Sequence, residues 1–91
     1  MFEKERESIN KIDEEMKRLF IERQKTVAKI AKIKYENDMP IFDSKREEEL
    51  KSRLTRDLND SDKKYYLAFL ENILKLSKEY QKELIDKIKC E

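Results

Sequence analysis

The chain has 91 residues, the length of one domain spanning 1–91, and a chain so small with few apolar groups buries a poor core alone. Charged residues make up 47% against 37% apolar, a balance close to that of disordered chains, but the net charge of +1 lets the charges offset one another on a solvated surface. With no Gly, no His, one Pro and one Cys, the composition disfavours hairpins and sheets and excludes a transition-metal site, a His-based triad and a disulfide framework.

The first predicted element runs from about Glu3 to Asn37 without a breaker. Ile9, Ile12, Met16, Leu19, Phe20, Val27, Ile30 and Ala31 fall at helical spacing. Such a helix is ~50 Å long at ~1.5 Å per residue. Asn37-Asp38-Met39-Pro40 ends it, because the residue before Pro disfavours the α conformation. The second element begins at Asp43-Ser44, where Ser44 followed by Glu47 reads as a capping box with Glu48 and Glu49 also near the positive helix end. Leu50, Leu54 and Leu58 repeat every four residues, and the element ends near Asn59. Asn59-Asp60-Ser61-Asp62 is a turn and a helix start. The third helix then runs from about Ser61 to the C-terminus, with Tyr66, Leu70, Ile73, Leu74, Leu84, Ile85 and Ile88 on its apolar face. The fold class is therefore all-α, three helices ordered long, short, long. The first is too long for the second to cover, so an antiparallel or intertwined homodimer is expected.

Partners and compartment are bounded by the same pattern. Basic and acidic residues interleave, and no basic stripe for nucleic acid emerges. No apolar run approaches the ~20 residues of a membrane span. Met1-Phe2 leads straight into charge rather than into a signal peptide, and Cys90 is alone, so a cytoplasmic protein is expected.

Polar residues interrupt the faces that should be core. Steps of three and four along the first helix pass through Arg6, Ile9, Asp13, Met16, Phe20, Arg23, Val27, Ile30 and Lys34. Burying an unpaired charge costs several kcal/mol. Snorkelling or an internal ion pair, such as Arg6 with Asp13 of another helix, would avoid that cost; so would a bound anion. On the third helix, Ser77 and Gln81 stand one turn apart within the stripe Ile73, Leu74, Leu84 and Ile88, where each could also bond a neighbouring helix. The second helix adds Arg46 and Glu47 beside Asp43, for which capping is the plainer role. Together these are cations, neutral hydrogen-bonders and a carboxylate against an apolar lining, with no nucleophile–base pair. Such a set suits a small dicarboxylate, with chemistry drawn from positioning and electrostatics.

One ordered set of motifs goes further. Arg6-Glu7-Ser8-Ile9-Asn10-Lys11-Ile12-Asp13, Glu22-Arg23, Ala31-Lys32-Ile33-Lys34, Pro40-Ile41-Phe42-Asp43, Arg46-Glu47 and Ser77-x-x-x-Gln81 resemble the all-helical (AroQ-type) chorismate mutase family over almost the whole chain. The resemblance implies a three-helix protomer in an intertwined homodimer with two shared active sites, and rearrangement of chorismate to prephenate on the route to phenylalanine and tyrosine. It implies no metal and no cofactor. Carried over by position, Arg6 would reach a substrate carboxylate from the partner chain. Arg23 would hold a carboxylate with support from Ser77 and Arg46. Lys34 and Gln81 would bond the ether oxygen of the breaking bond. Glu47, with the backbone near Asp43, would take the ring hydroxyl. Two other readings fit parts of the pattern: isochorismate–pyruvate lyase on the same scaffold, and a non-enzymatic helical dimerisation module with ion pairs in its seam.

Overall fold

An unbroken stretch of 34 residues without glycine or proline forms the first helix, α1, Glu3–Glu36, in the computed structural model, which describes all 91 residues. α2 follows as Ser44–Thr55 and α3 as Asp60–Cys90, and there is no strand. The molecule measures 54 × 27 × 14 Å, its longest dimension set by α1. Its radius of gyration of 16.5 Å exceeds the ~12 Å of a compact chain of this length. No helix is long and apolar enough to cross a membrane.

α1 ends in a Schellman turn. The Met39 N–H donates to the Lys34 carbonyl at 2.8 Å and the Asp38 N–H to that of Tyr35 at 3.4 Å. The turn needs one left-handed residue, which in a chain without glycine is Asp38 at φ 53°. Pro40 follows the cap, where a helix cannot resume. This reversal carries Ile41 back beside the last turn of α1.

The cap of α2 is Asp43, not Ser44. Asp43 is extended (φ −127°, ψ 93°), and its side chain accepts the Arg46 N–H at 3.0 Å. Ser44 is already the first helical residue, so the Ser44–Glu47 capping box does not form. α2 also stops at Thr55, earlier than the leucine repeat implies, because the Leu58 N–H closes a turn onto the Thr55 carbonyl at 3.1 Å. Asn59 then caps α3 by accepting the Asp62 N–H at 2.7 Å.

α1 and α2 each pack on α3 but not on one another. The buried residues show where the core lies: Val27 and Ala31 on α1, Thr55 on α2, and Leu70, Leu74, Ser77, Gln81 and Ile85 on one face of α3. Ala31 is completely covered at 0% exposure, a small side chain where α1 meets α3. The other half of α1 has no cover: residues 3–22 are exposed, with Ile9 at 54% and Met16 at 45%. Charge ladders line the solvent faces, Glu15–Arg18–Glu22 on α1 and Arg46–Glu49–Arg53 on α2. Spacings of three and four place these partners on adjacent turns.

Candidate active site

Because the backbones of α1 and α2 approach α3 but not each other, a gap remains between them with α3 as its floor. A cavity of about 250 Å³ occupies it. α1 supplies Arg23, Val27, Ile30 and Lys34; α2 and the segment before it supply Ile41, Asp43, Arg46, Glu47 and Leu50; α3 supplies Leu74, Ser77, Lys78 and Gln81. At ~30 Å³ per water, this is room for about eight waters, the scale of a small metabolite. Four cations and two carboxylates among the lining residues give it a charge of +2. The walls between them are aliphatic: Val27, Ile30, Ile41, Leu50 and Leu74.

Local structure or a neighbouring side chain holds each polar group except Arg23. Lys34, in the last turn of α1, donates from Nζ to the Ile41 carbonyl at 2.6 Å. The Schellman turn makes that contact possible by folding residue 41 back, and the ammonium retains two further donors. Arg23 is half-buried and takes part in no ion pair or side-chain hydrogen bond. Burial, followed by repulsion from Arg46, lowers its pKa from the ordinary arginine value, while Tyr66 acts in the opposite direction. Arg46 itself is exposed and drawn towards Glu49 at 2.6 Å.

Ser77 and Gln81 are both buried, and the Gln81 Nε2 donates to the Ser77 Oγ at 3.3 Å. The Gln81 Oε1 is buried with no hydrogen-bond partner. An orphaned buried amide oxygen carries a cost of about 1–3 kcal/mol, which a donor in the cavity would relieve. Nε2 also keeps a second N–H for a ligand acceptor. Asp43 lines the cavity while its carboxylate is engaged as the α2 cap.

Seven of the eight residues picked out in the sequence thus surround one cavity: Arg23, Lys34, Asp43, Arg46, Glu47, Ser77 and Gln81. Arg6 does not join them within the protomer. It lies 17 residues before Arg23 on the same helix, about 25 Å away along the axis, with its guanidinium 4.6 Å from the centre of the Phe2 ring.

Lys78 is a lining residue that sequence reasoning missed. Its Nζ lies 3.0 and 3.3 Å from the two oxygens of Glu47 and 4.7 Å from the centre of the Phe42 ring. The signal was its position three residues before Gln81 and four after Leu74, neighbours on the helix surface. No group of three or more His, Cys, Asp or Glu side chains is placed to hold a metal ion.

A second, larger hollow of about 750 Å³ runs beside the first and is mainly apolar, lined among others by Met16, Phe20, Leu54, Tyr66 and Phe69. It shares Arg23, Arg46 and Leu50 with the charged cavity. Most of the residues picked out in the sequence line the smaller one.

The profile of the family described as chorismate mutase type II matches residues 5–82. The chain belongs to the type II chorismate mutase family. No curated protein and no solved structure matches it. The match reaches into all three helices and extends past the Ser77–Gln81 pair, so it takes in every lining residue of the charged cavity of this chorismate mutase family member.

Proposed function

We propose that the protein rearranges chorismate to prephenate, on the route to phenylalanine and tyrosine, in the cavity between its three helices. The observation that carries this reading is Arg23: a half-buried guanidinium without a counter-charge, in a cavity of net charge +2. A dianion of cyclohexadiene size supplies both missing charges.

The reaction is unimolecular. The ether C–O bond breaks as a C–C bond forms between the enolpyruvyl methylene and the ring, and no proton or electron enters or leaves. The enzyme's task is to fold the flexible enolpyruvyl arm over the ring and to favour the charge that develops. Arg23 holds one carboxylate through its planar fork, with Arg46 and Ser77 in support. Lys34 and the free N–H of Gln81 donate to the ether oxygen, where negative charge grows in the transition state. Glu47 accepts the ring hydroxyl, and the capped backbone at Asp43 fixes the start of the helix that carries it.

The second carboxylate is assigned to Arg6 of a partner subunit in an intertwined homodimer. Support comes from the exposed apolar half of α1 and from the apolar hollow, which shares Arg23 and Arg46 with the charged cavity. A partner helix filling that hollow arrives at the wall of the charged cavity. The test is incubation with chorismate and, separately, with isochorismate, with products identified by chromatography. Prephenate from chorismate is the expected result. Release of pyruvate from isochorismate alone would replace this reading with the lyase, and no conversion of either would overturn it.

A further inference from the structure

Most ion pairs of this chain join neighbouring turns of one helix. Only two join different helices: Lys51–Glu71, at 3.7 Å on an exposed surface, and Lys78–Glu47. The second is tighter and more sheltered, with the Glu47 side chain 16% exposed and Lys78 33%. Both carboxylate oxygens face one ammonium, at 3.0 and 3.3 Å, and the same ammonium lies 4.7 Å from the centre of the Phe42 ring. One side chain of α3 therefore grips the first turn of α2 and the segment that leads into it.

Glu47 needs such a grip for two reasons. Its side chain has three rotatable bonds, and its neighbours Glu48 and Glu49 are exposed. A free carboxylate at the cavity wall would also repel the dianion the cavity is proposed to hold. Lys78 answers both, fixing the rotamer and cancelling the charge. Arg23, Lys34 and Arg46 are left to face the ligand.

We propose that Lys78 is a positioning residue, which through Glu47 makes the site select cyclic dicarboxylates bearing a ring hydroxyl over those without one. This rests on the function proposed above, in which Glu47 meets the hydroxyl. It adds a residue that touches no reacting atom and a selectivity that the residue controls.

The experiment uses two bicyclic ether dicarboxylates that differ only in the ring hydroxyl. Their affinities are measured by calorimetry for the wild type, Lys78→Met, Lys78→Arg, Glu47→Gln and the Lys78→Met/Glu47→Gln double variant, with melting curves for each. The wild type should prefer the hydroxylated ligand by about tenfold or more, the worth of one hydrogen bond to a charged group. Lys78→Met should bring that ratio close to one and weaken the hydroxyl-free ligand far less. Lys78→Arg should restore the preference, and the double variant should match Glu47→Gln alone. A preference that survives in Lys78→Met, or losses that add in the double variant, would overturn the role of Lys78 while leaving dicarboxylate binding intact. Failure of the wild type to bind either ligand would overturn the functional reading and this inference together. Should Lys78→Met melt early, Lys78→Gln, with a polar end but no charge, supplies the same comparison.

Discussion

Replacing Arg23 with Met should stabilise the protein and disable it. Arg23 is half-buried, has no counter-charge, and is repelled by Arg46. Met keeps an unbranched stem and a similar helix propensity, so packing along the stem and the helix itself should change little. What disappears is the cost of the charge. A like charge facing it from the neighbouring helix, screened by solvent, costs up to about 0.5 kcal/mol. Partial desolvation, discounted because the group is still reached by solvent, adds an amount of the same order. The sum is about 1 kcal/mol, which for a domain of this size raises the melting midpoint by about 4–8 °C. Against that, the site loses a charge-assisted contact to a carboxylate, worth about 1.5–3 kcal/mol. At about 1.4 kcal/mol per factor of ten, kcat/KM should fall between about tenfold and a hundredfold. The assay pairs thermal unfolding by circular dichroism, at one fixed protein concentration, with the initial rate of chorismate loss. A lowered melting midpoint would show that Arg23 has a stabilising partner after all, and undiminished kcat/KM would remove it from the site. Stability gained in Arg23→Met, with no chorismate turnover by the wild type, is the signature of a helical module whose cations are incidental.

Four other outcomes can be checked. Lys34→Ala should lower kcat/KM by at least about a hundredfold with helical content retained, since one preorganised donor to a developing oxyanion is worth about 3 kcal/mol; near-normal prephenate formation would refute its role. An inactive Arg6 variant refolded with an inactive Gln81 variant should regain partial activity, and verified heterodimers that stay inactive would contradict a shared site. Asp43→Ala should cost about 1 kcal/mol in unfolding free energy by urea titration, whereas Ser44→Ala should cost almost nothing; the reverse order would return the cap to Ser44. Acid should loosen the helices in a defined window: Glu15, Glu49 and Asp86 are held below their ordinary values by hydrogen bonds to Arg18, Arg53 and Lys82. A carboxylate with a lowered folded pKa contributes stability above its unfolded value, and that contribution fades as pH falls through the folded one. The melting midpoint should thus be level from pH 7 to about 5 and decline below about 4, and a decline beginning near pH 6 would point to another group.

How far the sequence was legible depended on whether the controlling contact is local. Helices α1 and α3 followed from apolar periodicity and the lack of breakers, both short-range properties. The start of α2 was harder, because Asp43 and Ser44 are both good caps and only the backbone angle at Asp43 decides between them. Glu47 stands three residues after Ser44, the spacing of a capping box, but Lys78, 31 residues later, takes its carboxylate. The Leu50–Leu54–Leu58 repeat runs on past the end of α2, since Leu58 is half-buried in the turn, where it keeps its apolar contact without staying helical. At the site, cations and amides on apolar stripes were conspicuous, because each breaks a pattern. Lys78 breaks none: it lies at the edge of its stripe, where lysine is ordinary, and only its distance from Glu47 gives it a part.

The length of α1 poses the remaining question. Packing against α3 buries Val27 and Ala31 in its second half, and the walls of the charged cavity need nothing before Arg23. Yet some 20 further residues precede Arg23, with Ile9, Ile12, Met16 and Leu19 spaced for one face and all exposed. A helix only long enough for its own cavity would lack that face and Arg6 with it. Under the proposed dimer, both features have one cause. The exposed face lies in a partner's apolar hollow, and Arg6, carried about 25 Å from its own cavity, reaches the partner's. The +2 charge of one protomer's cavity then becomes +3, matching a dianion and leaving one cation for the charge that grows on the ether oxygen.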